Sequence, residues 1–372
     1  MRKPSVIQHV FQLPFNGPPV LATGSRRGNT LCSTSGDQAY LSRVLGDLDS
    51  ADICTDHEAA ATEILIWQAT IPAIVARDMD PDIHPARYGV ELAANLGIHN
   101  LAIQHHHAHA AAVCAAHALT EPVVALVLDD VALGSDGSWW GGELLWVDGD
   151  KFERLGHLMP LPMPGGDIAR RESWRMASGI LHRLHRPDEI HRRYAEHPAS
   201  LDLVAMLNEE RNCPLTTSAA LLMTATAELL GLRGTGADDD GALERAAINY
   251  FSGNYATVPE QHWDITAEGN LDLYPMLAQL ATEADAQRGA AIFHACLISA
   301  ATEWLVRACD ASGSTRVILA GCCMQQRLLA AGLGDNLTRR GLRVHEAPAR
   351  AQGNASVSLG QAWIALHALR HV

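Results

Sequence analysis

Twice along this chain an apolar run enters a glycine-bearing turn, doubles back as a second apolar run, and then gives way to alternating helices and strands. The first instance is PVLATGSRRGNTLCST (19–34), which reads as strand, turn and strand. Behind it come DSADICTDHEAAATEILIWQAT, apolar at helical spacing with Asp56 as its expected cap, then the short strand PAIVARDMDP broken by Pro81. ARYGVELAANLG follows as a helix closed by glycine, and NLAIQ as another strand. The second instance, EPVVALVLDDVALGSDGSWWGGELLWVDGDKFERLGHL, opens a three-strand meander. It is followed by a long helix over 285–309, the strand RVILAG, the helix MQQRLLAAGLGDNLTRR, the strand RVHEA and a closing helix from about residue 355. Residues 1–19 are expected to form only an extended lead-in. Such an order demands layered α/β lobes, one over 1–122 and one over 123–372, built on one plan without a visible repeat of sequence.

Composition narrows the function classes. A chain of 372 residues with 48% hydrophobic and 19% charged residues can bury a core, and no uninterrupted apolar stretch reaches membrane-span length, so a soluble protein with no membrane partner is expected. The opening MRKPSVIQHVFQLPF lacks a sustained apolar region and a small-residue cleavage site, which points to the cytoplasm. The eight cysteines form no C-x-x-C pair, so neither a disulfide framework nor a cysteine zinc site is expected. A formal charge of −14 repels a phosphate backbone and disfavours nucleic acid as a partner.

The stretch IQHHHAHAAAVCAAHAL (103–119) places His105, His106, His107 and His109 where a strand meets an Ala-rich helix. Positions i and i+4 share a helix face, so His105 and His109 can present ring nitrogens to one cation. The glutamate of H-E-x-x-H is missing, because residue 106 is histidine, and a metallopeptidase is a poor fit. Asp129, ending the apolar run VVALVLD, is the nearest attractive carboxylate donor. The competing reading is a helix start whose histidines cap backbone groups or face water, with Asp129 in solvent.

Three glycine-rich stretches, ALGSDGSWWGGE, MPGGD and LAGCCMQQ, follow apolar runs. Such turns let backbone N–H groups approach phosphate, although none matches a P-loop or a dinucleotide fingerprint. DIARRESWRMASGILHRLHRPDEIHRRYAEH gathers arginines in an acidic protein. A solvated helix face accounts for most of them, while Arg175, near the PGGD turn, is the one expected to meet an anion.

Taken in order, LATGSRRGNTLCSTSGDQAYLSRVLGDLDSA, VARDMDPDIHPARYGVELAANLG, IQHHHAHAAAVCAAH, GSDGSWWGGELL, PLPMPGGDIARRESWRMA and LAGCCMQQRLL…SLGQAW resemble the C-terminal part of HypF, the carbamoyltransferase of nickel–iron hydrogenase maturation. That part is similar to the TsaD-type domain of tRNA threonylcarbamoyl transferases and to antibiotic O-carbamoyltransferases. The resemblance runs from about residue 18 onward. It implies an actin-like ATPase fold, two ribonuclease-H-like lobes with a central cleft. It implies a divalent metal, Fe or Zn, on His105, His109 and Asp129, with Asn354 where the family has aspartate. For the nucleotide, ATP or carbamoyl adenylate, it implies Gly24, Asn29 and Thr30 in the first lobe. In the second it implies Gly134, Asp136, Gly137, Gly141, Gly142, Glu143, Gly165, Gly166, Asp167, Arg175, Gly321, Gln325 and Gln326. No protein nucleophile is implied.

The resemblance further implies carbamoyl transfer to the C-terminal cysteine of a HypE-like acceptor, with carbamoyl adenylate supplied by a YrdC-like domain of another chain. The acylphosphatase and zinc-finger modules of full-length HypF are not seen in this sequence. Several positions depart from the family pattern: Asp130 and Ala132 stand where glycines are usual, and Asp80 where histidine is usual. AALLMTATAELLG (219–231) lacks the family's arginine and aspartate, and GADDDGALERAA replaces its Tyr-Glu-Gly-initiated helix. The departures leave a second reading open, a module that docks to the maturation complex without doing chemistry.

Overall fold

The computed structural model describes residues 3–232, 241–253 and 262–370. Its first sheet contains β1 (Ile7–Gly17), β2 (Val20–Ala22), β3 (Cys32–Ser42), β4 (Ile74–Asp78) and β5 (His99–Ile103), with helices α1 (Ala51–Gln68), α2 (His84–Leu96) and α3 (His105–His117). The second contains β6 (Val123–Leu133), β7 (Trp139–Asp148), β8 (Lys151–His157), β9 (Leu161–Pro162) and β10 (Leu215–Thr216). After the two-stranded pair β11 (Asp264–Ile265) and β12 (Leu271–Asp272), the second sheet is completed by β13 (Arg316–Ala320) and β14 (Arg343–Glu346). Its helices are α4 (Ser173–Arg183), α5 (Pro187–Arg193), α6 (Ser200–Asn208), α7 (Ala219–Leu229), α8 (Ala242–Gly253), α9 (Tyr274–Leu280), α10 (Ala286–Ser312), α11 (Arg327–Arg339) and α12 (Val357–Leu369).

One plan underlies both sheets. A hairpin strand, β2 or β6, lies between its antiparallel partner, β3 or β7, and two parallel strands, β4–β5 or β13–β14. The outer antiparallel position is filled by β1 in the first sheet and by β8 in the second. The residues expected to be a lead-in are therefore a paired edge strand. β1 alternates buried and exposed positions over part of its length, a pattern that Pro and Gln in the sequence obscure. Asp56 is not the cap of α1 either: Ser50 precedes the helix, and its hydroxyl accepts from the Ile53 N–H at 3.5 Å. Helical periodicity marks a face and leaves the start of the helix open, so the capping residue type nearly two turns earlier decides. α2 ends as expected, at Gly97 with φ +68°.

The last helix reaches back across the molecule. α12 packs on α3, β2, β3 and β4, and one continuous core joins Phe11 and Val20 to Val127 and Trp363. We retain the 122/123 boundary as a proposal, with α12 completing the packing of the first lobe. The helix pair touches closely, since a Cβ on Gly360 would lie 1.8 Å from the Ala108 carbonyl oxygen. Gly360→Ala is expected to prise α12 from α3 and cost about 3 kcal/mol, read as a lowered urea midpoint.

α10 is, among the described residues, the one helix long and apolar enough to cross a membrane, but 72% of its apolar window is buried inside the fold. Ala290, Phe293, Leu297, Trp304 and Leu305 line the second-lobe core, so packing inside the fold accounts for its composition. The replaced segment GADDDGALERAA lies in part outside the described residues; its remainder forms the start of α8.

Candidate metal centre and cleft

α3 begins where β5 ends, and Gln104 caps it by accepting from the His107 N–H at 2.8 Å. The cap fixes the helix phase and turns His105 and His109 to one side. Opposite them, the β6–β7 pairing breaks: Leu128 faces Gly142 and pairing resumes at Ala132 opposite Trp140, four steps along β6 against two along β7. Neighbours on a regular strand point to opposite faces, whereas this bulge brings both Asp129 and Asp130 to the cleft. Gly141 makes room, since a Cβ there would lie 2.6 Å from the Asp130 carbonyl oxygen.

Four donors from three parts of the chain meet. Asp129 Oδ2 lies 3.0 Å from His109 Nε2 and 3.4 Å from His105 Nε2, and the two ring nitrogens are 3.2 Å apart. Asn354 Oδ1, delivered by the turn before α12, lies 3.2 Å from His109 Nε2. His105, His109 and Asp129 are all buried, with ligand atoms within 4.8 Å of one another. Two imidazoles, a carboxylate and an amide oxygen suit a borderline or hard divalent cation. The solvent-facing alternative for these side chains is removed by their burial.

Sequence reasoning missed the support around this set. Asp78, at the end of β4, holds His105 Nδ1 at 2.8 Å, which leaves Nε2 pointing inward, the carboxylate–histidine arrangement found behind metal ligands. Its signal was a second strand-end carboxylate, in ARDMDP, overlooked beside Asp80. The Cys322 N–H donates to Asp129 Oδ1 at 2.8 Å and fixes that carboxylate. Burial works against a charge on His105, but the carboxylates of Asp129 and Asp78 outweigh it and hold its pKa up at about 10. Burial would likewise raise Asp129, yet His109 and His105 keep it well below the usual carboxylate range. A cation would take the place of this shared proton. The other two histidines of the run are neutral: burial pulls His106 down to about 3 and His107 to about 4. Because Asn354 brings no charge, Asn354→Asp is expected to tighten divalent-metal binding at least about tenfold, measured by competition with a chromophoric chelator. An unchanged affinity would remove Asn354 from the ligand set.

The residues expected to hold a nucleotide lie at several separate places. Gly24, Asn29 and Thr30 build the first-lobe turn. Gly24 (φ +77°) exchanges hydrogen bonds with Gln361, Asn29 Nδ2 donates to the Thr23 and Ser25 carbonyls, and Thr30 Oγ1 donates to Ala355 O. Gly134, Asp136 and Gly137 form the β6–β7 turn, where Asp136 accepts from Ser138 and from Trp140 Nε1. Glu143 is fully buried and accepts from the Gly141 and Gly142 N–H groups, Thr217 Oγ1 and Arg154 Nε. Apart from Asn29 Oδ1, which is buried without a hydrogen-bond partner, the polar atoms named here are spent on the scaffold.

The Gly165 and Gly166 N–H groups donate to Asn212 O and Met163 O. Arg175 turns to Glu172 at 2.6 Å and lies over Trp174. It is not among the residues lining the cleft, and neither is Gln326, which contacts His294 and Met223. Gly321 (φ +95°) and Gln325 border a small slot on the His109 side. The cleft itself, about 210 Å³, opens on the His105 side and is lined by Ser25, Arg26, Arg27, Asp78, Asp80, Asp82, Asp129, Asp130, Asp167, Arg170 and Asn354, among others. The arginine it presents from the PGGD segment is thus Arg170, five residues before the one expected.

Residues 15–116 match the HypF Kae1-like domain, and residues 125–361 match the second subdomain of the carbamoyltransferase Kae1-like domain. A carbamoyltransferase HypF homolog of Cupriavidus necator is 39% identical over 93% of this chain and 91% of its own length. The chain belongs to the HypF carbamoyltransferase family. Carbamoyltransferase HypF2 of the same organism is 40% identical over 96% of this chain but 47% of its own length, so the chain spans about half of that relative. The crystal structure of full-length HypF in a phosphate- and nucleotide-bound form superposes with a TM-score of 0.85 at 25% identity, over 97% of this chain and 48% of that one. The actin-like, two-lobed α/β fold expected from the HypF resemblance is therefore the fold of this chain.

Proposed function

We propose that this HypF-family chain transfers a carbamoyl group from carbamoyl adenylate to the C-terminal cysteine of a HypE-like acceptor, in the pathway to the cyanide ligands of nickel–iron hydrogenase. The observation that carries this reading is the convergence of His105, His109 and Asp129 on one buried point at the wall of the cleft. His105, His109, Asp129 and Asn354 would hold a divalent cation, Fe or Zn. When bound, it supplies Lewis-acid polarisation and offsets phosphate charge. Asp78 and the Cys322 N–H keep the ligands in place. The acceptor thiolate forms a bond to the carbonyl carbon, the C–O bond to the phosphate breaks, and AMP leaves with the electron pair. Carbamoyl adenylate comes from a YrdC-like domain of another chain, and the reaction is placed in the cytoplasm without membrane or nucleic acid.

The test is incubation of purified protein, carbamoyl adenylate, zinc or ferrous iron, and a HypE-like acceptor. The reading expects the acceptor to gain one carbamoyl group by mass spectrometry, and no gain rejects it. A docking module without chemistry is favoured by the neutral Asn354 and by the many N–H groups spent on scaffold. It expects no stoichiometric metal in the untagged protein.

A further inference from the structure

Asp130 has a different position from its neighbour Asp129. The bulge in β6 turns it into the cleft, where Arg170 NH2 approaches its Oδ2 at 3.0 Å from the second lobe. Arg27 NH1 approaches the same oxygen at 3.8 Å from the first-lobe turn. All three line the cleft that also exposes His105 and Asp129. Two guanidinium groups from opposite lobes thus converge on a single anionic oxygen beside the candidate metal centre, the arrangement an oxyanion ligand needs. Arg26, the third arginine of the cleft, is engaged elsewhere, at 2.6 Å from Asp49. The cleft sets six carboxylates, Asp78, Asp80, Asp82, Asp129, Asp130 and Asp167, against those three arginines, so an entering phosphate meets net repulsion.

We propose that Arg170 and Arg27 form an oxyanion receptor for the phosphate of a nucleoside monophosphate or its acyl derivative, and that Asp130 is its built-in occupant, displaced when substrate enters. The inference rests on the carbamoyl adenylate reading and deepens it: Asp130 sets the affinity of the cleft for phosphate and latches the two lobes together when the cleft is free. Entry of phosphate exchanges the contacts of the Asp130 carboxylate with Arg170 and Arg27 for contacts of the phosphate with the same two guanidinium groups, with Asp130 released to water. Arg170 and Arg27 are ligand-binding residues, and Asp130 is a competitor.

Calorimetric titration with AMP and with inorganic phosphate, with zinc supplied, tests this. Asp130→Asn is expected to bind AMP about tenfold more tightly than the unaltered protein, and Arg170→Gln about tenfold more weakly. Asp82→Asn removes the same charge from the same cleft at a carboxylate paired with neither arginine, and is expected to stay within about twofold. Equal or weaker binding by Asp130→Asn, equal gains from Asp130→Asn and Asp82→Asn, unchanged binding by Arg170→Gln, or no binding by any variant would each overturn the inference. If the unaltered protein carbamoylates the acceptor while Asp130→Asn gains nothing, the receptor fails alone. If Asp130→Asn gains affinity but no protein transfers a carbamoyl group, the functional reading fails alone.

Discussion

His109→Ala is expected to abolish stoichiometric metal binding and to lower carbamoyl transfer at least about a hundredfold. Among the four donors, His109 Nε2 is the one from which all three others are close: 3.0 Å to Asp129, 3.2 Å to His105 and 3.2 Å to Asn354. Its loss removes a ligand and leaves Asp129, a fully buried carboxylate, with His105 as its main charged partner. Asp78→Asn provides a graded comparison. It keeps every ligand and only loosens the grip on His105 Nδ1, so metal affinity is expected to fall about ten- to a hundredfold with the fold intact. Elemental analysis after dialysis and acceptor mass spectrometry read both effects. Retention of one metal ion per chain by His109→Ala would mean that the ion sits elsewhere.

Glu143→Gln is expected to cost about 3 kcal/mol of stability, a shift in the urea midpoint without a change of slope. The Glu143 carboxylate is buried with the Gly141 and Gly142 N–H groups, Thr217 and Arg154 directed at it. Arg154 also stacks on Trp140 at 4.1 Å and is only 19% exposed, so loss of the carboxylate leaves a half-buried guanidinium with Asp136 as its remaining anion. Removing both partners, as in Glu143→Gln with Arg154→Met, is expected to recover part of the loss. The pair of variants also discriminates roles. Were Glu143 a nucleotide contact, AMP affinity would fall while stability held; as a scaffold residue, it moves stability first.

The difference between those two residues shows how far a sequence reading reaches. His105 and His109 were legible because helix geometry alone places i and i+4 on one face, and Asp129 because a carboxylate closing an apolar run is conspicuous. Glycines and polar residues in turns were less informative. The same residue types that cradle a phosphate also close hairpins and cap loops, and Gly24, the Asn29 Nδ2 group, Thr30, Asp136 and Glu143 are engaged in that second way. Arg175 and Arg170 differ by where the chain turns after the PGGD segment, which no spacing rule encodes.

By itself, the sequence determined the alternation of strands and helices, the two hairpin-led lobes and the histidine pair, because each depends on periodicity or on contacts a few residues apart. Only the tertiary structure decided that Asp78 stands behind His105, that Asn354 is brought 245 residues along the chain to His109, and that a bulge turns both Asp129 and Asp130 inward. Those placements arise from strand register and from the packing of α12 on α3, which sum many weak contacts between distant segments, and no short stretch of sequence carries that sum.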